Sequence, residues 1–210
     1  MINKKDRKGL MLVLSSPSGA GKTSICRNIL KKEKELKMSV SYTTRKKRRS
    51  ETDGVDYFFV SNKEFEELRK KDFFIEYANV FDNWYGTPKK TVKQHLENGL
   101  DVVFDIDWQG AQKLFNFSSV DMVSIFILPP SKKVLLERLK NRAEDSQDTV
   151  LLRMSKAKSE ISHWIEYDYV LINDDLEKCV DEVLVILNAE RKKKSRQKFL
   201  FEMIGDLIGQ

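Results

Sequence analysis

The sequence is poor in the residues that staple chains or hold transition metals. It has two cysteines, Cys26 and Cys179, and two histidines, His95 and His163. The cysteines sit in apolar helical contexts without C-x-x-C spacing, so they read as reduced, buried residues. The histidines are far apart, which leaves no zinc set. No apolar run approaches the ~18 residues of a membrane span. The polar, basic start leads directly into a short apolar stretch, with no h-region and no small-residue cleavage site. A cytoplasmic protein with no membrane partner is expected. Repeats and linkers are also missing, so nothing divides the 210 residues into separately folding domains. There is no aromatic-studded single-strand motif and no recognition-helix signal, so nucleic acid is not an expected partner.

What is present is an ordinary globular composition, 40% hydrophobic and 33% charged, in a chain long enough for one buried core. Lys and Arg number 38 against 32 Asp and Glu, a formal net charge of +6 that suits anionic partners. The excess gathers in the first eight residues, in Arg45 to Arg49 and in Arg191 to Lys198. The two terminal runs are most simply solvated tails or helix ends.

Apolar patterning orders the chain. Leu10 to Leu14 is a short continuous apolar run, the mark of a strand buried on both faces, and Ile25, Ile29 and Leu30 then recur at helical spacing. Met38 to Ser41 and Val55 to Val60 read as strands. Ser61 to Glu64 is a capping box opening a helix to about Lys70. Thr87 and Pro88 resemble an N-cap and first-turn proline, with Gly99 at the C′ position of the helix that follows. Val102 to Ile106, Met122 to Leu128 and Tyr169 to Ile172 are further strands; Ser131 caps a helix, and a long one runs to about Lys193. Alternating strands and helices predict an α/β fold, a parallel sheet flanked by helices. The stretch from 39 to 96 breaks that rhythm and predicts a small inserted lobe, mixed or antiparallel. The apolar end, Phe199 to Gln210, is expected to pack on this chain or a neighbour.

Ser16, Pro17, Ser18, Gly19, Ala20, Gly21, Lys22 and Thr23 form a phosphate-binding loop whose first glycine is replaced by serine. Its glycines let the backbone curl so that successive N–H groups aim at phosphate oxygens, and the helix that follows adds its positive end. Lys22 can reach the β and γ phosphates, and the Thr23 hydroxyl can ligate Mg²⁺. The loop identifies a nucleoside triphosphate donor and leaves the acceptor open. Taken alone, Arg45 to Arg49 reads first as a solvated basic loop and second as a nucleic-acid patch, and Glu76 as a surface carboxylate on an edge strand.

The run from Ser41 through Arg45, Arg48, Glu51 and Gly54 to Tyr57 resembles the monophosphate site of guanylate kinases. The likeness continues through Phe74 to Tyr77, Tyr85 to Thr87, Asp105 to Gly110, Arg138 with Arg142, Arg153 and Ile172 to Asp175, in order over roughly residues 9 to 190. Lys47 and Ser50 stand where relatives often carry Pro and Gly. The resemblance implies transfer of the γ-phosphoryl group of ATP to GMP, with Mg²⁺ as cofactor and no other partner than a possible second copy of the chain. It implies a domain over 9–190 with its core at 9–38 and 97–190, a GMP lobe at 39–96, a lid at 140–153, and a C-terminal extension at 191–210.

By the same resemblance, Arg45, Arg48, Glu51, Tyr57 and Tyr85 serve the GMP phosphate. Glu76 accepts from guanine N1–H and the exocyclic amine, and Ser41 and Thr87 contact the carbonyl side of the base. Asp105 and Asp107 complete that site, and Asn173 joins the phosphate loop in binding ATP. Lys22, Arg45, Arg138, Arg142 and Arg153 neutralise the transferring group. Guanidinium forks suit a dianionic phosphate. A monophosphate with a second pKa of about 6 is already ionised and needs no general base, consistent with the lack of any His–Asp signature. The alternative is a module of the same fold that has lost catalysis and binds phosphorylated or acidic peptides, which the intact Gly21, Lys22 and Thr23 argue against.

Overall fold

The computed structural model describes residues 7–80, 82–141 and 147–209. Its strands are β1 (Met11–Ser15), β2 (Leu36–Met38), β3 (Tyr42–Thr43), β4 (Phe58–Phe59), β5 (Phe74–Val80), β6 (Asn83–Pro88), β7 (Asp101–Asp105), β8 (Met122–Leu128) and β9 (Tyr169–Ile172). Its α-helices are α1 (Lys22–Lys32), α2 (Asn62–Lys70), α3 (Lys89–Glu97), α4 (Trp108–Ser118), α5 (Lys132–Lys140), α6 (Gln147–Ser162), α7 (Leu176–Arg191) and α8 (Leu200–Ile208).

A five-stranded sheet in the order β2-β7-β1-β8-β9 is parallel throughout. Every β1 residue is buried, and alternate side chains serve opposite faces, as a strand covered on both sides requires. Leu12 and Leu14 pack with Ile25 and Ile29 of α1 and Val180, Val183 and Leu187 of α7. Met11 and Val13 pack instead with Val92 and Leu96 of α3 and Leu114 of α4. Burying each such side chain contributes about 1.5–3 kcal/mol. From β1 the chain crosses to β2 at one edge, and from β7 it crosses the other way, over β1, to β8, so the carboxyl ends of β1 and β7 form the switch point where ligands bind in sheets of this kind.

A second sheet, β4-β3-β6-β5, is mixed: β3 runs parallel to β4, while β6 is antiparallel to β3 and β5. Stacked aromatics fill it, with Phe65 against Phe74 at 4.7 Å and Tyr42 against Phe58 at 4.7 Å.

Several local expectations change. Met38 to Ser41 is not one strand: the chain quits the first sheet after Met38 and enters the second at Tyr42. Val55 to Val60 shortens to Phe58–Phe59, because Gly54 turns at φ 73° and Asp53 and Asp56 accept the N–H groups of Phe59 and Thr52. Thr87 does not cap α3, which starts after Pro88 with no side-chain cap. Helix α4 carried no expectation, although Asp107 caps it by accepting from the Gly110 N–H. The Ser61 capping box and the Ser131 cap are both formed, and Gly99 closes α3 with the paired bonds Gly99 N–H to Leu96 and Leu100 N–H to His95. Cys26 and Cys179 are buried free thiols. At the end of the chain α8 leaves Met203, Ile204, Leu207 and Ile208 exposed.

Candidate active site

The phosphate loop links the end of β1 to the start of α1. Gly19 (φ 94°) and Gly21 (φ 101°) occupy the left-handed region, which side-chain-bearing residues avoid. No side chain caps α1, so its first N–H groups remain available to an anion. The loop is held from behind by its Ala20 carbonyl, which accepts from Asn173 Nδ2 at 2.7 Å and from Arg138 Nη1 at 3.3 Å. Arg138 Nη2 also donates to the Asn173 carbonyl at 3.0 Å.

Beneath the loop, Lys22 Nζ lies 2.7 Å from Asp105 Oδ1 and donates to the Ile106 carbonyl at 2.8 Å. The Thr23 hydroxyl donates to Asp105 Oδ2 at 2.8 Å. Burial alone would lower the Lys22 pKa, but the Asp105 charge offsets it and the ammonium sits above its ordinary value. For Asp105 the signs reverse: burial would raise its pKa, and Lys22 with Thr23 holds it below the usual carboxylate value.

The second sheet carries the acceptor candidates. Arg45 Nη2 meets Glu51 Oε1 at 2.6 Å, and Glu51 Oε2 accepts the Arg48 N–H at 2.8 Å. Burial would raise the Glu51 pKa, but Arg45 and Arg48 keep it below the ordinary value. The Arg45 guanidinium also lies over the Tyr57 ring at 5.4 Å, and Tyr57 meets Tyr85 at 5.9 Å between centroids. Burial pushes the Tyr57 phenol well above its usual pKa, so it stays a neutral donor.

Glu76 of β5 is buried and pairs with Thr87 of β6, whose hydroxyl donates to Oε1 at 2.7 Å. Burial raises its pKa to about 7, against the lowering effects of the Thr87 bond and the Lys113 charge.

One cavity of about 290 Å³ joins the two halves: Ser16, Pro17, Ser18, Gly19, Gly21, Lys22 and Thr23 line it from the phosphate loop, Asp105 and Asp107 from the end of β7 beside the loop, and Ser41, Tyr57, Glu76 and Tyr85 from the 39–96 segment. Arg48 and Glu51 line the adjoining cleft, which shares Thr23, Tyr57 and Asp105 with it. Arg153 of α6 reaches Ser18 Oγ at 3.5 Å. Arg138 and Asn173 stand behind the loop rather than on the cavity wall, and Arg142 lies outside the described residues.

Two residues near the site went unnoticed in the sequence. Glu160 lines the cavity and accepts the Ser18 N–H at 3.2 Å; its sequence signal is the seven-residue spacing from Arg153, which puts both on one helical face. Lys113 of α4 donates to the Tyr77 carbonyl beside Glu76, a tertiary contact with no local signature.

A family model described as guanylate kinase matches residues 8–190. Among curated proteins, the guanylate kinase of Rhizobium meliloti is 50% identical over 202 residues, covering 96% of this chain and 92% of that protein. The guanylate kinase of Paramagnetospirillum magneticum is 51% identical over 203 residues, covering 97% and 95%. Among solved structures, guanylate kinase from Anaplasma phagocytophilum superposes with a TM-score of 0.82 at 38% identity, covering 95% of each chain.

Proposed function

The chain belongs to the guanylate kinase family, and on that premise we propose that it moves the γ-phosphoryl group of ATP to GMP across the cavity that joins its phosphate loop to Glu76. That shared cavity is the observation that carries the reading. The inactive, peptide-binding alternative has no support: the loop is intact and these relatives are guanylate kinases.

In this reading the loop N–H groups and Lys22 serve the ATP phosphates, and Asn173 serves ATP by bracing the loop through the Ala20 carbonyl. Incoming phosphate draws Lys22 from Asp105, exchanging one anion for another without leaving the ammonium unpaired. Arg45, Arg48, Tyr57 and Tyr85 take the GMP phosphate, with Glu51 fixing the two arginines. Glu76, Ser41 and Thr87 read the base: ionised Glu76 accepts two guanine donors, and adenine offers neither, so the buried carboxylate would be left unpaired. The acceptor oxygen is ionised near neutral pH and needs no base, so alignment and charge neutralisation by Lys22, Arg45, Arg138, Arg142 and Arg153 supply the catalysis.

The Thr23 hydroxyl and the carboxylates of Asp105 and Asp107 are hard oxygen donors that fit Mg²⁺ arriving on ATP. When bound, the ion neutralises charge on the β and γ phosphates. In the same reading the lobe at 39–96 and the lid at 140–153, of which 142–146 lie outside the described residues, close on the core to exclude water. Among the described residues no helix is long and apolar enough to cross a membrane; we place the enzyme in the cytoplasm, as monomer or homodimer, with 191–210 outside the catalytic domain.

A coupled ADP-release assay with GMP, dGMP, AMP, CMP and UMP tests the assignment. GMP should be preferred over AMP by roughly 10⁴ in kcat/KM, and Glu76→Gln should erase most of that margin. Comparable turnover of AMP, or no response to the substitution, would remove the guanine reading.

A further inference from the structure

The N–H groups of a phosphate loop are anion donors, and one of them already has an anion. Glu160 reaches across from α6 and accepts the Ser18 N–H through Oε2 at 3.2 Å, inside the cavity. The charged groups facing it are Lys22 of α1, Asp107 at the start of α4, and Lys156 on its own helix. Arg153, two turns earlier on the same face of α6, approaches the Ser18 hydroxyl. Helix α6 thus touches one loop residue with a carboxylate on its N–H and a guanidinium near its side chain.

We propose that Glu160 sets donor affinity: its carboxylate stands in for phosphate on the nucleotide-free loop and is displaced by the phosphate chain of ATP. The inference rests on the assignment of the loop to ATP. A triphosphate and an ionised Glu160 cannot share the Ser18 donor, because like charges at hydrogen-bonding distance repel strongly where water is excluded. The same negative charge attracts Arg153. One helix therefore carries a group the donor expels and a group it recruits, so ATP arrival repositions α6 and brings Arg153 onto the phosphates. Burial, the main influence on Glu160, already raises its pKa above the ordinary value, which marks the ionised form as poorly accommodated there.

Calorimetric titration of Mg–AMPPNP into wild type, E160Q, E160A and K22M, with melting temperatures recorded alongside, tests the idea. Removing the competing charge should tighten AMPPNP binding about tenfold in E160A, the loss of one charge-assisted hydrogen bond discounted for partial exposure, and should tighten it in E160Q as well. In crystals of wild type with Mg–AMPPNP, Glu160 should no longer bond the Ser18 N–H. Folded E160A and E160Q that bind no tighter than wild type would overturn the role given to Glu160, as would a Glu160–Ser18 bond kept in the complex; the crystal result decides alone if both variants fail to fold. Wild type that binds no AMPPNP, or K22M that binds it equally well, would instead overturn the assignment of the loop.

Discussion

Thr87 and Glu76 face each other across the β5–β6 pair, and the Thr87 hydroxyl donates to the buried Glu76 carboxylate at 2.7 Å. The bond engages one oxygen of a group that burial holds near pKa 7. Under the proposed base-reading role, an acidic side chain kept at the edge of ionisation serves recognition rather than stability, since a neutral Glu76 could accept from only part of the guanine edge.

The pKa of Glu76 therefore sets a pH window. At pH 8 the carboxylate is ionised, and at pH 6 it is mostly protonated, so KM for GMP should be about tenfold higher at pH 6. Titration of the GMP phosphate contributes equally to Glu76→Gln, so the wild-type to variant ratio isolates the side chain. Stability runs the other way. The folded pKa of about 7 exceeds the usual 4.5, so the native state binds the proton more tightly. The stabilising contribution is full below pH 4.5 and is lost as the pH rises through 7. Glu76→Gln should thus raise stability at pH 8 by up to roughly 3 kcal/mol, at 1.36 kcal/mol per unit, read as a higher melting temperature, while losing guanine selectivity. A variant less stable than wild type at pH 8 would refute the shifted pKa.

Lys113 tunes the same group from α4. It donates to the Tyr77 carbonyl and lies over the Tyr77 ring at 5.1 Å, and its charge acts against the burial that raises the Glu76 pKa. Lys113→Gln should move the pH profile of KM for GMP upward by about half a unit, a modest shift because the lysine is exposed. Lys113→Arg should restore the profile, and kcat at pH 8 should stay within twofold. An unmoved profile would mean that the lysine only braces the strand.

The elements legible in the sequence were those whose causes are local. Met122–Leu128 and Tyr169–Ile172 appear with the bounds their apolar runs suggest; the first is a buried parallel strand, while the second is an edge strand that leaves Val170 and Ile172 exposed. Ser61 and Glu64 close their capping box within one turn. Thr87 misleads for the opposite reason: its hydroxyl is drawn to Glu76, eleven residues away, rather than to the helix beside it. At Met38 to Ser41 the alternating stretch is the crossing between two sheets, one left at Met38 and the other entered at Tyr42, a division no window of neighbours reveals. Seven motifs in order suggested the acceptor pocket; the contacts of Glu160 and Lys113 needed the fold.

Gly21 admits a sharp test of the loop. A Cβ there would lie 2.3 Å from Asn173 Nδ2, at a φ of 101° that strains any side chain. Gly21→Ala should break the Asn173–Ala20 bond and cost about 1–3 kcal/mol of local strain. KM for ATP should rise at least tenfold while KM for GMP stays within twofold, measured by steady-state assay with each substrate varied. Equal effects on both substrates would indicate general unfolding rather than a damaged donor site.

Asp101 governs stability far from the chemistry. Its carboxylate is fully buried and accepts from Arg7 Nη1 at 2.6 Å, Arg7 Nη2 at 2.9 Å, Arg191 Nε at 2.7 Å and the Leu10 N–H at 2.9 Å. It joins the segment before β1 and the end of α7 to the sheet, and Arg191 continues to Glu33 at 2.8 Å. Asp101→Asn keeps the size and removes the charge, leaving Arg191 only Glu33 and Arg7 only Glu35 at 3.6 Å as acidic partners, so urea unfolding should record a loss of about 3 kcal/mol. Arg191→Met in the Asp101→Asn background should cost less than in wild type, because the cation it removes has already lost one of its two acidic partners. Strict additivity of the two substitutions would mean that the ion pair contributes nothing and that the loss comes from packing alone.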